Sequence, residues 1–350
     1  MELLVVPDDS GSADALRHIR SKLTRDFVLL AGDVVSDVSL QTIADRHRLH
    51  QAAVTCLFKQ VPPREQGVAK KAKELDGIDF VGHDDRKERL LYLEAAADCD
   101  DGKLGISASL LRAQPHLQVH TDLVDAHIYI FSHWVLEVLE AKPNFASAKF
   151  ELLPYLVRKQ FLSKANLPAA ATRPPDPSTP VRPSSSSLLP AAPDDFRCSC
   201  YVLPHDSGYC LRANTLASYI QANMDVAKGG VTLYEKVTEE NEAVKETNFV
   251  LRSFSSDSSR GVGVEVGGRS TIKKSCVGPH CVIGSNVRLT NCILMDHVKI
   301  ADKVNILNSI ICSNAEIGEG ASLKDSQVGL VVVGGAHGLL EGWGRLKSIG

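Results

Sequence analysis

Branched apolar residues recur at a regular spacing in the last third of the chain. They occupy Val266, Ile272, Val277, Ile283, Leu289, Leu294, Ile300, Ile306, Ile311, Ile317, Leu323 and Val328. Each step between successive positions is five or six along the chain, and every three steps sum to seventeen. Hexapeptide repeats of this kind are typical of a stacked β-helix, in which each step forms one flat face of a triangular coil. The pattern therefore predicts a parallel β-helix over residues 259–329, with these side chains directed at its axis.

The same period of seventeen places polar side chains above one another. Asn291 lies over Asn308, His280 lies over His297, and a further column contains Ser275, Cys292, Ser309 and Ser326. Either histidine could be the general base of a hexapeptide acyltransferase. Because no acidic residue has an obvious position to orient the rings, we favour the alternative that both are exposed turn residues.

Residues 1–160 have a different pattern, in which apolar runs alternate with helical spacing. Residues 3–6, 27–30 and 52–58 read as strands, and residues 13–23 and 40–47 between them read as helices, the second capped by Asp37. Further strands are expected near 79–82, 90–93 and 125–131, and helices near 132–140 and 148–160. Alternation of strands and helices predicts a parallel, Rossmann-like sheet with helices on its faces, over residues 1–162.

Between and after these domains the composition changes. Prolines and a serine run at 184–187 predict a flexible linker over residues 163–196, because such a segment cannot bury enough apolar surface to fold. Residues 197–258 read as a connecting segment that begins with a strand and a helix. After residue 329 the repeat is no longer visible, and residues 330–350 are expected to form an atypical glycine-rich tail.

Charge and cysteine content exclude several functions. The formal net charge is −3, from 39 basic and 42 acidic residues, which gives no electrostatic reason to expect nucleic acid or a membrane as partner. The nine cysteines include no C-x-x-C pair and read as reduced thiols, so we predict no metal site and no cofactor. No signal peptide is recognisable, and the cytosol is the expected compartment.

Asp33 follows the strand at 27–30, at the edge of the sheet where ligands of open α/β sheets bind. A carboxylate there could hold Mg²⁺ against a phosphate, and the helix that begins at Gly11, Ser12 and Ala13 could offer free N–H groups to a nucleotide. Gly-Asp is also a common turn sequence, so a purely structural role for Asp33 is equally compatible with the residues.

Three segments resemble landmarks of the sugar-nucleotide pyrophosphorylase family: residues 11–16, 27–33 and 124–129. The resemblance implies a nucleotidyltransferase-like domain followed by a left-handed β-helix, with Asp33 at the position of a metal ligand and Gly11, Ser12 and Ala13 near the base. Two departures argue against catalysis. The glycine-rich loop that holds the triphosphate is not found before these motifs, and His127 replaces a glycine. A nucleotide pocket formed by Gly11, Ser12, Ala13 and Asp33 would therefore be vestigial.

A second resemblance extends over most of residues 3–330. Residues 7–9, 123–127, 151–161, 200–202, 290–295 and 310–317 resemble the gamma-subunit family of eukaryotic initiation factor two-B. This implies a non-catalytic subunit of the complex that promotes GDP/GTP exchange on initiation factor two, lacking its first βα unit. The implied partners are the epsilon subunit, the other exchange-factor subunits and initiation factor two. Candidate interface residues are Arg158, Lys159 and Gln160, which we expect to be exposed. The alternative function is that of a sugar-nucleotide pyrophosphorylase.

Overall fold

The computed structural model describes residues 2–61, 79–84, 86, 88–99, 103–161, 197–228 and 258–329, and the backbone of two short strands at 332–333 and 339–341. The predicted linker at 163–196 lies outside the described residues. The chain divides into two compact units, one formed by residues 1–34 and 38–210 and the other by 35–37 and 211–350. Within the described residues, no helix is long and apolar enough to cross a membrane.

The N-terminal unit mixes helices and strands as the sequence predicts. The helices are α1 (Ser12–Ile19), α2 (Leu40–His50), α3 (Ala108–Ala113), α4 (Val135–Ala141), a π-helical turn (Ala148–Leu152) and α5 (Leu153–Lys159), with 3-10 turns at Arg20–Lys22 and Ala96–Asp98. The strands are β1 (Phe27–Leu30), β2 (Val34–Ser36), β3 (Val54–Gln60), β4 (Asp79–His83), β5 (Leu90–Ala95), β6 (Gln118–His120), β7 (Leu123–Phe131), β8 (Cys198–Leu203) and β9 (Cys210–Arg212). Of these, β2 and β9 pair with each other, and each includes a boundary at which the chain passes from one unit to the other.

The central sheet has the strand order β1-β7-β3-β8. Strand β7 runs antiparallel to both β1 and β3, and only the pair β3–β8 is parallel. The predicted parallel sheet thus has a parallel pair, β3–β8, and one antiparallel strand, β7, which the sequence did not predict. A strand's own apolar pattern carries no information about the direction of its neighbour, and β7 enters the sheet between β1 and β3 although it follows both in sequence.

Alternate residues of each strand point to opposite sides of this sheet, and both sides are buried by packing against helices. Phe58 and Phe131 pack on one side in a core that includes residues of α1, α4 and α5. Leu57 and Ile130 pack on the other side with Ile43 of α2. Ala13 and Leu16 of α1 and Ile43 of α2 are buried as the helical spacing predicts, whereas Leu40 at the start of α2 is 43% exposed.

Two local predictions in this unit are wrong. Residues 3–6 form no strand, and Leu3 and Val5 are 84% and 83% exposed. A short apolar run satisfies the strand pattern whether or not a partner strand exists, so the sequence could not decide this point. The N-cap of α2 is Ser39 and not Asp37, a small displacement of the kind usual at helix ends.

The C-terminal unit contains helix α6 (Leu216–Ala227) and a parallel β-helix with three five-stranded sheets. The first face consists of β10 (Ser259–Arg260), β13 (Cys276–Val277), β16 (Ile293–Leu294), β19 (Ile310–Ile311) and β22 (Gln327–Val328). The second face consists of β11 (Glu265–Val266), β14 (Val282–Ile283), β17 (Lys299–Ile300), β20 (Glu316–Ile317) and β23 (Val332–Val333). The third face consists of β12 (Thr271–Lys273), β15 (Arg288–Thr290), β18 (Asn305–Leu307), β21 (Ser322–Lys324) and β24 (Leu339–Glu341).

The predicted register of the β-helix is confirmed. Residues one period apart pair in neighbouring strands, as in Ile283 with Ile300 and Ile300 with Ile317. All predicted axis residues from Ile272 to Val328 are buried, and Val266 in the first coil is half-buried. These side chains form one continuous core along the axis.

The β-helix extends beyond residue 329, so the prediction of an irregular tail needs correction at two strands. Val333 pairs with Ile317 and Leu340 pairs with Leu323. The step from Val328 to Val333 is five where the pattern requires six, and the next step to Leu340 is seven. The two irregular steps compensate each other, which hides the repeat from a search for a fixed period.

Positive φ angles recur at the corners of the coils, and the sequence analysis predicted this pattern only in part. Three columns of residues with positive φ run along the β-helix at the same period of seventeen. They contain Gly263, His280, His297 and Asn314; Arg269, Asn286, Lys303 and Gly320; and Lys274, Asn291, Asn308 and Asp325. Glycine and asparagine enter the left-handed region most readily, so their recurrence at this spacing was the available signal.

His280 and His297 are corner residues of this kind. Both are exposed, and their rings stack with centroids 5.1 Å apart. The main-chain N–H of each donates to the coil before it, His280 to Val262 and His297 to Pro279. The geometry agrees with the interpretation of both as turn residues.

We expect His297→Val to destabilise the β-helix by about 1–2 kcal/mol, because a β-branched residue is strained at a φ of 57°. His297→Asn should leave the free energy of unfolding nearly unchanged, since Asn314 already occupies the next corner of the same column. Chemical denaturation of the two variants measures the difference. Equal stability of both variants would show that this corner is not held in the left-handed region.

Candidate functional site

The start of α1, predicted to face a nucleotide, packs against residues 146–148. The N–H of Ala13 donates to the carbonyl oxygen of Ala146 at 2.9 Å, and the Ser12 hydroxyl accepts from the N–H of Ala148 at 2.8 Å. A Cβ on Gly11 would stand 2.1 Å from the Ala146 oxygen, so this position requires glycine for close packing. The N–H of Ala13 is therefore engaged within the unit.

Asp33 lies in the turn between β1 and β2 and is half-buried. This turn is joined to β7, where the N–H of Ala31 donates to the His127 oxygen at 3.2 Å. The start of α1 thus contacts residues 146–148, whereas the turn that contains Asp33 contacts His127 through Ala31. Among the residues that the structure describes, no group of three or more His, Cys, Asp and Glu side chains is arranged to hold a metal ion.

His127 has a left-handed backbone, with φ of 53°. Its N–H donates to Asp125 Oδ1 at 2.8 Å, which holds the backbone in this conformation. The pyrophosphorylases that the chain resembles have glycine at this position, and glycine is the residue that adopts positive φ without strain. His127 therefore occupies a backbone conformation that glycine would adopt without strain.

A buried charge cluster, formed by Asp79, Asp125, Tyr129 and Lys149, lies beside this motif. Lys149 Nζ is 2.9 Å from Asp79 Oδ2 and 3.7 Å from Asp125 Oδ2. The Tyr129 hydroxyl donates to Asp125 Oδ2 at 2.5 Å. One ammonium group thus serves two carboxylates, both with side chains at most 3% exposed.

Burial raises the pKa of Asp79 above its ordinary value, and the nearby Lys149 ammonium only partly offsets this effect. Burial, together with the Asp125 carboxylate, also raises the pKa of Tyr129 well above 10, so this hydroxyl keeps its proton at neutral pH. The sequence alone did not identify this cluster, because Asp79, Asp125 and Lys149 lie on three separate elements.

A shallow depression at the surface leads to this cluster. Its walls include Asp79, Glu94, Asp98, Lys149, Phe150 and Arg158. The Phe150 ring is 55% exposed and lies 5.4 Å from the Lys149 ammonium. Arg158, predicted as an interface residue, is exposed at this place. The depression therefore combines an exposed aromatic ring with charged groups of both signs.

The other two interface candidates differ from Arg158. Lys159 is half-buried, with its ammonium 5.6 Å above the Tyr155 ring. Gln160 is buried and not exposed as predicted: its Nε2 donates to the Leu90 oxygen at 2.8 Å, and its Oε1 accepts from the N–H of Cys198 at 2.9 Å. Its polar side chain suggested a surface position, but it joins the end of α5 to β5 and β8.

Replacement of Gln160 by alanine should cost about 2–4 kcal/mol of stability, because it leaves two buried main-chain groups without a partner. Arg158→Ala should change the free energy of unfolding by less than about 0.5 kcal/mol, since Arg158 is exposed. Urea denaturation compares the two variants. A neutral Gln160→Ala variant would mean that water replaces both hydrogen bonds.

Known proteins resemble both units of the chain. Residues 238–335 match the family model described as the EIF2B subunit epsilon LbH domain, which is the predicted left-handed β-helix. The chain is 30% identical over 309 residues to translation initiation factor eIF2B subunit gamma of Dictyostelium discoideum, covering 81% of this chain and 70% of the relative. The chain belongs to the eIF2B subunit gamma family.

Two further relatives are similar to the chain over a smaller part of its length. The eIF2B subunit gamma of Schizosaccharomyces pombe is 29% identical over 64% of this chain and 48% of its own length. The eIF2B subunit epsilon of D. discoideum is 26% identical over 61% of this chain and 26% of its own length. The eIF2B gamma and epsilon subunits are thus both related to this chain, which spans about half the length of the S. pombe subunit.

Proposed function

We propose that this eIF2B gamma family member is a non-catalytic subunit that pairs with the epsilon subunit and binds initiation factor two. Together with the other exchange-factor subunits it would promote GDP/GTP exchange on initiation factor two. Its own contribution would be binding and architecture, with no chemical step in the nucleotidyltransferase-like unit. The cytosol is the compartment in which this function would be exercised.

The observation that carries the non-catalytic role is the packing at the start of α1. In pyrophosphorylases the matching segment lies near the base of the nucleotide. Here the N–H of Ala13 is bonded to Ala146, and the Ser12 hydroxyl is bonded to Ala148. Nucleotidyl transfer requires donors directed at the charge that develops on the phosphates, and the Ala13 N–H is already engaged by the Ala146 oxygen.

Similarity to two different subunits supports the pairing with epsilon. The chain matches the epsilon β-helix model over residues 238–335 and an epsilon subunit over 222 residues. Chains that share an architecture can meet through equivalent surfaces, as the two copies in a symmetric dimer do. A gamma–epsilon pair would use this arrangement with two related chains.

Co-expression of the full chain with the epsilon subunit tests the proposal, with a tag on this chain only. We expect epsilon to copurify, and we expect no pyrophosphate release when the complex is given Mg²⁺ and nucleoside triphosphates with sugar phosphates. Asp33→Ala should leave the complex intact. Pyrophosphate release that Asp33→Ala abolishes would contradict the non-catalytic role and favour the nucleotidyltransferase alternative.

A further inference from the structure

The three outer faces of the β-helix differ in two respects. One is whether another part of the chain covers their outward side chains, and the other is whether their charged side chains form ion pairs. On the first face the outward residues Cys276, Ile293 and Ile310 are apolar and buried. Helix α6 covers them with Met224, which belongs to the same apolar cluster. The first face is therefore occupied by the chain itself.

The second face carries charged side chains that are paired between coils. Lys299 Nζ is 2.8 Å from Glu316 Oε1 in the next coil. At the adjoining corner, Lys303 Nζ is 2.7 Å from Glu319 Oε1. The cations of this region are thus neutralised by the chain's own carboxylates.

The third face carries cations without such partners. Lys273, Arg288 and Lys324 are exposed at outward positions of β12, β15 and β21. Within the described ranges none of the three has a salt-bridge partner. At one corner of this face Asp325 accepts from Asn308, and at the other Glu319 is paired with Lys303. The face therefore has an excess of positive charge.

The geometry of the third face is fixed by its hydrogen-bonded ladder. Lys273 and Lys324 stand in one column, three coils apart, which corresponds to about 14 Å at a strand spacing of about 4.8 Å. Thr290 and Leu307, both half-buried, lie between them in that column. Arg288 stands in the neighbouring column, about 7 Å to the side, two positions along its strand from Thr290.

We propose that the third face binds an extended acidic segment of a partner protein, laid along the axis of the β-helix. Carboxylates four positions apart in an extended chain are separated by about 13 Å, which matches the distance between Lys273 and Lys324. The side chains between them contact Thr290 and Leu307, and Arg288 adds positive charge beside the same segment. Three cations and an apolar residue suit a protein segment better than nucleic acid, whose binding typically neutralises about 6–10 phosphates.

Fluorescence anisotropy of a labelled peptide, added to the full chain, tests this proposal. The probe is an extended sequence of about 13 residues, rich in threonine and valine, with glutamate at every fourth position. The matched peptide has glutamine in place of glutamate. We expect binding of the glutamate peptide only, with affinity that falls as the salt concentration rises from about 50 to 300 mM.

The triple variant K273E/R288E/K324E should weaken the Kd by about tenfold or more, and K273Q/R288Q/K324Q should weaken it by less. The control K299E/K303E changes two exposed cations on the neighbouring region and should leave the Kd unchanged. All substituted side chains are exposed, so circular dichroism should show an unaltered fold. Equal weakening by the control and triple variants would overturn the proposal.

Two other outcomes would also overturn it. Tighter binding of a single-stranded RNA oligonucleotide than of the peptide, with the same dependence on Lys273, Arg288 and Lys324, would identify nucleic acid as the occupant. Peptide binding that appears only after the chain's own Glu239, Glu240, Glu242 and Glu246 are replaced by glutamine would identify residues 239–246 as the occupant.

Discussion

Ile283→Asp is expected to unfold the β-helix while the N-terminal unit remains folded. Ile283 is 2% exposed and belongs to the axial core. An aspartate there would lose the apolar contacts and bury a carboxylate without a partner, at a cost of at least about 5 kcal/mol. Hydrogen exchange measured by mass spectrometry should show loss of protection in peptides from 259–329 and retained protection in β3 and β7.

Val282 provides the matched control, because it precedes Ile283 in β14 but points outward and is 42% exposed. Val282→Asp should cost about 1 kcal/mol or less, the usual range of strand propensity at an exposed position. If Ile283→Asp kept full exchange protection, or if the two variants behaved alike, the inward register derived from the repeat would be refuted.

Lys149→Met should be the most damaging single change in the buried charge cluster. It keeps the length of the side chain but leaves Asp79 and Asp125 without their shared cation. Removal of one partner from a buried ion pair typically costs about 3–5 kcal/mol, because the remaining charge is uncompensated. Chemical denaturation at pH 7, followed by circular dichroism, measures the loss.

The loss of stability caused by Lys149→Met should increase as the pH rises. The folded state holds the Asp79 proton more tightly than the unfolded chain does, since burial raises the pKa of Asp79 above 3.8. Ionisation of Asp79 therefore lowers stability as the pH rises through that raised pKa, and without Lys149 this loss becomes larger. We expect Lys149→Met to be less destabilised at pH 5 than at pH 7.

The double variant Asp79→Asn/Lys149→Met separates the lost charge pairing from a loss of packing. Replacement of both partners should recover a substantial part of the stability and reduce the pH dependence, as a double-mutant cycle detects. No recovery in the double variant would show that the aliphatic part of Lys149, and not its charge, is what the cluster requires.

The sequence predicted the β-helix in detail because its pattern is local and repeated. Each inward residue is identified by neighbours five or six positions away, and an error at one step conflicts with the steps around it. Prediction failed only where the steps became five and seven, before and after Val333. Because the two irregular steps sum to the expected twelve residues, the strand pairing reveals them, whereas a search for a fixed period does not.

The N-terminal unit was predicted less completely because its decisive contacts are distant in sequence. Apolar runs located β1, β3 and β7 but could not show that β7 lies between the other two. Gln160 was predicted to lie at the surface because its hydrogen-bond partners, Leu90 and Cys198, are too distant in sequence to affect the local pattern. The charge cluster of Asp79, Asp125 and Lys149 was missed for the same reason.

The predicted nucleotide pocket shows a further limit of prediction from sequence. Gly11, Ser12 and Ala13 were correctly placed at the start of a helix, which is a local property. Whether that start faces a ligand or a neighbouring segment depends on residues 146–148, more than a hundred positions away. The roles of Asp33 and of Arg158 stay predictions, with the first tested by the Asp33→Ala variant.

The most direct test of the central claim is purification of the tagged full chain from the cytosol of its own source, with mass spectrometry of the proteins that remain bound. Membership of the eIF2B gamma family and the proposed assembly role predict recovery of the epsilon subunit together with initiation factor two. Recovery of the folded chain without either protein would contradict the assembly role.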